Sequence, residues 1–318
     1  MRRALSIVTT AALAGALLGS VTPAPAGAGA GSEPGSEAVD VVAGFYPLAW
    51  AAEQVGGTDV AVRNLTPAGA EPHDLELTPS QRDAIEDAGV VVVMGKGFQP
   101  AVEEAASERD SGTLRVLARL PIDSTGMRVA EDEPDGDEPA ALDPHVWLDP
   151  VLMHAVVDEV TAALVKADRR HAARYRANAA DLERALVALD GEFRAGLADC
   201  DRDLIVTAHE AFGYLAARYG LRQEGVVGLS PDAEPSATRL AEMAELVEEE
   251  EVTIVFTEEL APPRIAETLA REAGGIKTAV LNPLEGLTED QVDDGADYVS
   301  EMRGNLDELE AALDCTPA

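Results

Sequence analysis

Short apolar runs alternate along this chain with stretches whose apolar positions recur every three or four residues. The runs at residues 39–43, 60–65, 90–94 and 114–117 have the length and the Val-rich character of buried strands. Between them, Leu48, Ala51, Ala52 and Val55 repeat at helical spacing over residues 45–55, and Gly56-Gly57 ends the repeat. Residues 80–88, with Thr78 as N-cap, and residues 99–106 predict two further helices. Alternation of this kind predicts an α/β layer with a mainly parallel sheet.

A helix is predicted after Pro150, with Met153, Val156, Val157, Val160 and Leu164 on one face. Residues 169–197 hold the longest helical stripe: Tyr175, Ala179, Leu182, Leu186, Leu189, Phe193 and Leu197, with charges between. At 1.5 Å per residue such a helix runs on the order of 40 Å, about the width of a domain. The alternation then resumes, with strands at 204–208, 225–229, 252–257 and 278–281 and helices at 211–219, 238–249, 263–272 and 298–313. The expected fold is therefore two Rossmann-like α/β lobes bridged by one long rigid helix. The boundaries are an N-terminal lobe at 38–168, a linking helix at 169–198 and a C-terminal lobe at 199–318. The halves are alike in layout, without a residue-level repeat.

Composition narrows the function. The chain has 318 residues, 46% of them hydrophobic, enough for about two domains. Lys+Arg number 24 against 59 Asp+Glu, a formal net charge of −35, which argues against nucleic acid and anionic membrane surfaces as partners. Lysine occurs only as Lys96, Lys166 and Lys277, and an acidic, lysine-poor surface suits a salt-rich habitat. Residues 131–138, acidic with a proline, read as a solvated loop.

Residues 1–26 read as a secretory signal: Arg2 and Arg3, a short apolar stretch over 11–18, then small-x-small cleavage positions at Ala24-Pro25-Ala26 and Ala26-Gly27-Ala28. The arginine pair also fits twin-arginine export. The apolar stretch is too short for a membrane span. No cysteine follows it, so a lipid anchor on an N-terminal cysteine is not expected. Residues 27–37, rich in Gly, Ser, Pro and Glu, are expected to be a disordered leader. In an exported chain the pair Cys200 and Cys315 predicts a disulfide, with a two-cysteine metal site as the rival.

Three of the five histidines share one kind of setting. His73 lies in Glu71-Pro72-His73-Asp74, between a strand and a helix. His145 lies in Asp143-Pro144-His145-Val146-Trp147-Leu148-Asp149-Pro150, where two prolines stiffen the backbone. His209 follows the strand Ile205-Val206-Thr207-Ala208. Loop ends of open α/β sheets are where ligands bind. By contrast, His154 and His171 fall inside helices, His154 four residues before Asp158 as its expected partner and His171 facing solvent. Neutral imidazole is the commonest metal ligand, and zinc takes it readily. The fourth ligand should be a carboxylate: Glu285, just beyond the last strand, with Glu258 and Glu259 as runners-up. Three imidazoles and one carboxylate favour Zn2+ over Mn2+, which would want more oxygen ligands.

Pro72-His73-Asp74 with Thr78-Pro79-Ser80, then Asp143 to Pro150, Ala208-His209 and Asn282-Pro283-Leu284-Glu285-Gly286-Leu287 form an ordered set. Together they resemble the zinc-binding solute receptors of ABC metal importers, in the TroA-like superfamily, over about residues 38–315. The resemblance implies one metal in the cleft between the lobes. His73 and His145 would be its first-lobe ligands, and His209 and Glu285 its second-lobe ligands. It also implies a periplasmic or cell-surface location, a membrane permease with a cytoplasmic ATPase as partner, a monomeric chain and no enzymatic activity. Members often carry a His-rich loop before the Asp-Pro-His stretch; here that region is acidic.

Rival readings make distinct demands. A secreted zinc hydrolase would need an open water position beside three histidines. His209-Glu210 is followed by Ala211-Phe212-Gly213, which breaks the HExxH pattern. A manganese carrier would share the fold, and a surface adhesin would hold a metal only incidentally. Gly95-Lys96-Gly97 lacks the glycine spacing of a nucleotide loop.

Overall fold

The structure is a computed structural model and describes residues 38–120, 122 and 142–316. The expected signal, the leader and the acidic stretch at 131–138 lie outside the described residues. The first half holds β1 (Val39–Ala43), α1 (Tyr46–Gly56), β2 (Val60–Asn64), α2 (Pro79–Asp87), β3 (Val90–Val93), α3 (Pro100–Ser107) and β4 (Thr113–Arg115). Its strands form one sheet in the order β2-β1-β3-β4, every pairing parallel. All four valines of β3 are buried, as a strand covered on both faces requires. Thr78 caps α2 as expected: its hydroxyl accepts from the Gln81 backbone N–H, and the Gln81 side chain accepts from the Thr78 backbone.

Two long helices follow, α4 (Pro150–Ala167) and α5 (Ala172–Gly196). The second half holds β5 (Leu204–Thr207), α6 (Gly213–Tyr219), β6 (Arg222–Gly225), α7 (Ala237–Glu249), β7 (Ile254–Thr257), α8 (Arg264–Glu272), β8 (Lys277–Val280), α9 (Glu289–Asp293) and α10 (Tyr298–Leu313). Its sheet runs β6-β5-β7-β8, again all parallel. The halves thus share one topology. In each, the chain reverses its winding beside the first strand, between β1 and β3 and between β5 and β7. Such a reversal opens a crevice at the carboxyl ends of the strands.

With 25 residues, α5 runs about 37 Å. It is no isolated rod, because α4, α1 and α10 all pack along it. Tyr175, Ala179, Leu182, Leu186, Leu189 and Phe193 form its buried face. They belong to a hydrophobic core that takes Val41 and Val92 from the first half and Phe212, Leu281 and Tyr298 from the second. One core therefore runs through both halves, flanked by a smaller cluster in each.

Three details depart from the pattern. The strand expected at 225–229 is β6, Arg222–Gly225, earlier by three residues. It is an edge strand, so polar Arg222, Gln223 and Glu224 can occupy it. The apolar Val226, Val227 and Leu229 that suggested a strand are buried in the loop beyond. The short α9 gave no apolar signal because none of its residues is buried. His171 is not solvent-facing: its side chain is 20% exposed, with Nδ1 2.6 Å from the Asp168 carboxylate.

Cys200 and Cys315 are joined in a disulfide. The bond fastens the chain segment after α10 to the segment after α5, where the Thr316 N–H also donates to Asp199 O. The pair is thus not a metal site. Closing a loop with a sequence separation of 115 residues restricts the unfolded chain, an effect of about 4–5 kcal/mol in a chain-entropy treatment. Reducing the bond, or Cys315→Ser, is expected to lower the denaturant midpoint while metal binding persists; an unchanged midpoint would show that the tether adds nothing.

Candidate metal centre

The two sheets point their loop ends at one place. His73 sits in the loop after β2. His145 opens the single turn Val146–Leu148 that leads into α4. His209 lies two residues past β5, and Glu285 five residues past β8. One ligand atom from each of these four residues lies within 4.8 Å of the others. Glu285 Oε1 is 3.2 Å from His73 Nε2, 3.2 Å from His145 Nε2 and 3.4 Å from His209 Nε2. A tetrahedron with zinc–ligand bonds of about 2.0–2.1 Å has edges of roughly 3.3 Å. The three nitrogen–oxygen separations therefore match the edges of such a site.

Water is largely excluded. The His145 and His209 side chains have no exposure, and those of Glu285 and His73 have 2% and 11%. Two histidines are oriented by carboxylates. His145 Nδ1 lies 2.7 Å from Asp143 Oδ1, which also accepts from the His145 backbone N–H. His209 Nδ1 lies 2.6 Å from Glu258 Oε1, which likewise accepts from the His209 N–H. A carboxylate on Nδ1 fixes the proton there and turns the Nε2 lone pair toward the centre. Glu258 therefore supports His209 from behind, and Glu259 is exposed outside the cluster; neither fills the fourth corner.

The segment holding His145 is clamped between the halves. Trp147 is fully buried against Phe45 and Phe98. Its indole N–H donates to Pro283 O, two residues before Glu285. Tyr298 of α10 donates to Trp147 O, and Tyr214 of α6 to Asp143 O. Asp149 caps α4 through the Val151 N–H and pairs with Arg218 of α6 at 2.6 Å.

These contacts create an electrostatic problem at the centre. His145 Nε2 and His209 Nε2 are buried without a directed hydrogen bond, yet each faces a carboxylate oxygen. A lone pair against that oxygen is repulsive. A proton on the ring, or a cation between the groups, makes it attractive. Burial by itself lowers the His209 pKa, but the Glu258 and Glu285 carboxylates outweigh burial and hold it well above the ordinary value. His145 is likewise raised, because Asp143 and Glu285 overcome the opposing burial. Burial raises Glu285, but the surrounding His145, His209 and His73 rings outweigh it and hold the carboxyl well below the usual range. Beside them, burial and the Glu285 charge push Glu71 up to about 8, although its carboxylate accepts from the His73 N–H.

The sequence pattern pointed to the four central residues but not to the supporting roles of Asp143, Glu258 and Glu71. Asp143 carried a signal, since it lies two residues before His145. Glu258 stood out only as a carboxylate after a strand. A second grouping, His154, Asp158 and Glu183, lies across α4 and α5 with partly exposed side chains. There His154 pairs with Glu183 at 3.4 Å, a residue of α5, in place of the expected Asp158.

The profile of the family described as "ZnuA: Zinc-uptake complex component A periplasmic" matches residues 41–312. The High-affinity zinc uptake system protein ZnuA of Bacillus subtilis is 37% identical over 280 residues, covering 86% of this chain and 87% of the relative. The Zinc-binding lipoprotein AdcA of Streptococcus pneumoniae is 36% identical over 281 residues, covering 87% of this chain and 56% of the relative. This chain thus spans about half the length of the AdcA proteins it matches. The crystal structure of the Zn(II)-bound ZnuA-like domain of the Streptococcus pneumoniae AdcA superposes with a TM-score of 0.71 at 35% identity, over 87% of this chain and 99% of that one.

Removing the support of His209 tests its role. Glu258→Ala is expected to weaken divalent-metal binding by about 10- to 100-fold in a chelator competition; full affinity in that variant would refute it. The pKa directions set a pH dependence for the metal-free protein. Raised histidines stabilise it below their unfolded pKa of about 6.5, and that contribution fades as pH rises through their folded values. The depressed Glu285 contributes above its unfolded pKa of about 4.3, and that contribution is lost as pH falls through its folded value. The metal-free Tm is therefore expected to rise between pH 8 and pH 6, while the added stabilisation by metal shrinks; parallel profiles with and without metal would contradict this.

Proposed function

This chain belongs to the ZnuA family of zinc-uptake complex components, and from that premise we propose that it is an exported receptor that captures Zn2+ between its halves and hands it to an ABC-type import permease with a cytoplasmic ATPase. One observation carries the reading: four ligand-type side chains, two from each half of the chain, converge on one buried point. Three imidazole nitrogens and one carboxylate oxygen suit tetrahedral zinc, and Mn2+ would favour a site richer in oxygen. Zn2+ is the cargo here and not a resident cofactor.

Closed coordination separates a carrier from a hydrolase. A catalytic zinc keeps one position open for water. Glu285 Oε1 occupies that corner, 3.2–3.4 Å from all three histidine nitrogens. In its place a carrier needs a way to let go. The ligands His73 and His145 come from one half, and His209 and Glu285 from the other, so a partner that parts the halves breaks the coordination sphere. Acid competes for the same nitrogens, since a protonated ring cannot ligate.

Calorimetric titration of a chelator-treated sample tests the reading. His145→Ala is expected to lower zinc affinity by at least about tenfold, and competition of zinc against manganese is expected to favour zinc. Unchanged zinc binding in that variant would remove His145 from the site, and a preference for manganese would overturn the choice of cargo.

A further inference from the structure

His73 differs from the other two histidines of the centre. His145 and His209 each rest on a carboxylate through Nδ1. No such carboxylate meets the Nδ1 of His73 among the described residues; its backbone N–H donates to Glu71, and its Nε2 lies 3.2 Å from Glu285 Oε1. Its side chain is also the most exposed of the three, at 11%. Something else must hold this ring.

Phe98 lies against the ring, and Gln99 against the backbone just before it. The Phe98 ring meets the His73 ring edge-on, with centroids 4.5 Å apart. Gln99 stands at the N-cap position of α3, yet its side chain does not cap that helix. It is 2% exposed and reaches instead across the crevice between β1 and β3. There its amide nitrogen lies 3.2 Å from each of Gly44 O, Thr66 Oγ1 and Pro72 O. Pro72 carries the carbonyl directly before His73. Thr66 in turn donates to Gly44 O, so the amide joins the end of β1, the start of the loop and its histidine end. The backbone of Gln99 is itself fixed, because its N–H and that of Gly97 both donate to Glu103.

The second half solves the same problem at the equivalent place. Glu258 stands in the loop after β7, the third strand of its sheet, as Gln99 stands in the loop after β3. We propose that Phe98 and Gln99 are the positioning residues for His73: the neutral amide holds the backbone that carries the ring, where Glu258 and Asp143 hold the other two rings directly. This rests on the four-ligand reading given above.

Gly44 belongs to the same device. A Cβ placed there would lie 2.3 Å from Gln99 Oε1, so Gly44→Ala must push the amide aside. Zinc affinity, measured against a chromophoric chelator in a four-way cycle of the unaltered protein, Gln99→Met, His73→Ala and the double variant, tests the proposal. Methionine keeps the length and removes the donor. Gln99→Met is expected to cost on the order of tenfold in affinity, and less than roughly twofold once His73 is already alanine, since a residue acting only through His73 has nothing left to position. Gly44→Ala replaces Gln99→Met in the cycle if that variant does not fold. An equal loss in both backgrounds, or no loss in either, overturns the positioning role. If His73→Ala itself leaves affinity unchanged, the four-ligand reading fails instead, and the proposal with it.

Discussion

Everything in this protein turns on one buried oxygen. Glu285 Oε1 stands 3.2–3.4 Å from three imidazole nitrogens, in a place almost without exposure. An anion buried in this way is costly unless compensated. Positive charge must enter, either as protons on the rings or as one divalent cation. Both options use the same nitrogens, so proton and metal exclude each other. The raised pKa values of His145 and His209 and the lowered pKa of Glu285 express the first option. The three nitrogen–oxygen separations, close to the edges of a zinc tetrahedron, express the second.

Holding such a centre demands stiffness from residues outside the four that converge there. Two sheets of identical strand order bring their crevices together, and a shared core along α5 keeps them in register. Trp147 links the site to both sides at once, packing on Phe45 and Phe98 while donating to Pro283 O. The three histidines are then held by different surroundings. Carboxylates stand behind the fully buried rings of His145 and His209, whereas an aromatic edge lies beside the more exposed His73 and a neutral amide bonds the Pro72 carbonyl before it. A carboxylate partner raises the basicity of a ligating ring. His73 lacks that reinforcement and lies at the open side of the centre.

Much of this was legible in the order of residues. Apolar runs located seven of the eight strands to within two residues at each end, most directly β3 and β5, whose residues are all buried and all but one apolar. They misplaced β6, an edge strand with polar residues. The prolines around His145 showed a stiff backbone, and histidines at strand ends suggested a shared ligand. The pairing of Cys200 with Cys315 followed from an even count in an exported chain, without any signal of distance.

What the chain order alone determined is therefore local: element types, the Asp-Pro-His stretch, and a short list of side chains able to bind metal. Which of them meet was decided only by the fold. His73 and Glu285 are 212 positions apart, and no periodicity reports on a contact of that range. The same holds for Glu258, which chain order left as a rival ligand and which the fold places behind His209. Gln99 was one polar residue at a helix start until the crevice between β1 and β3 set its amide against Pro72 O. Direction is the physical reason: a sequence specifies donors and acceptors, and only packed backbone decides where their lone pairs and protons point.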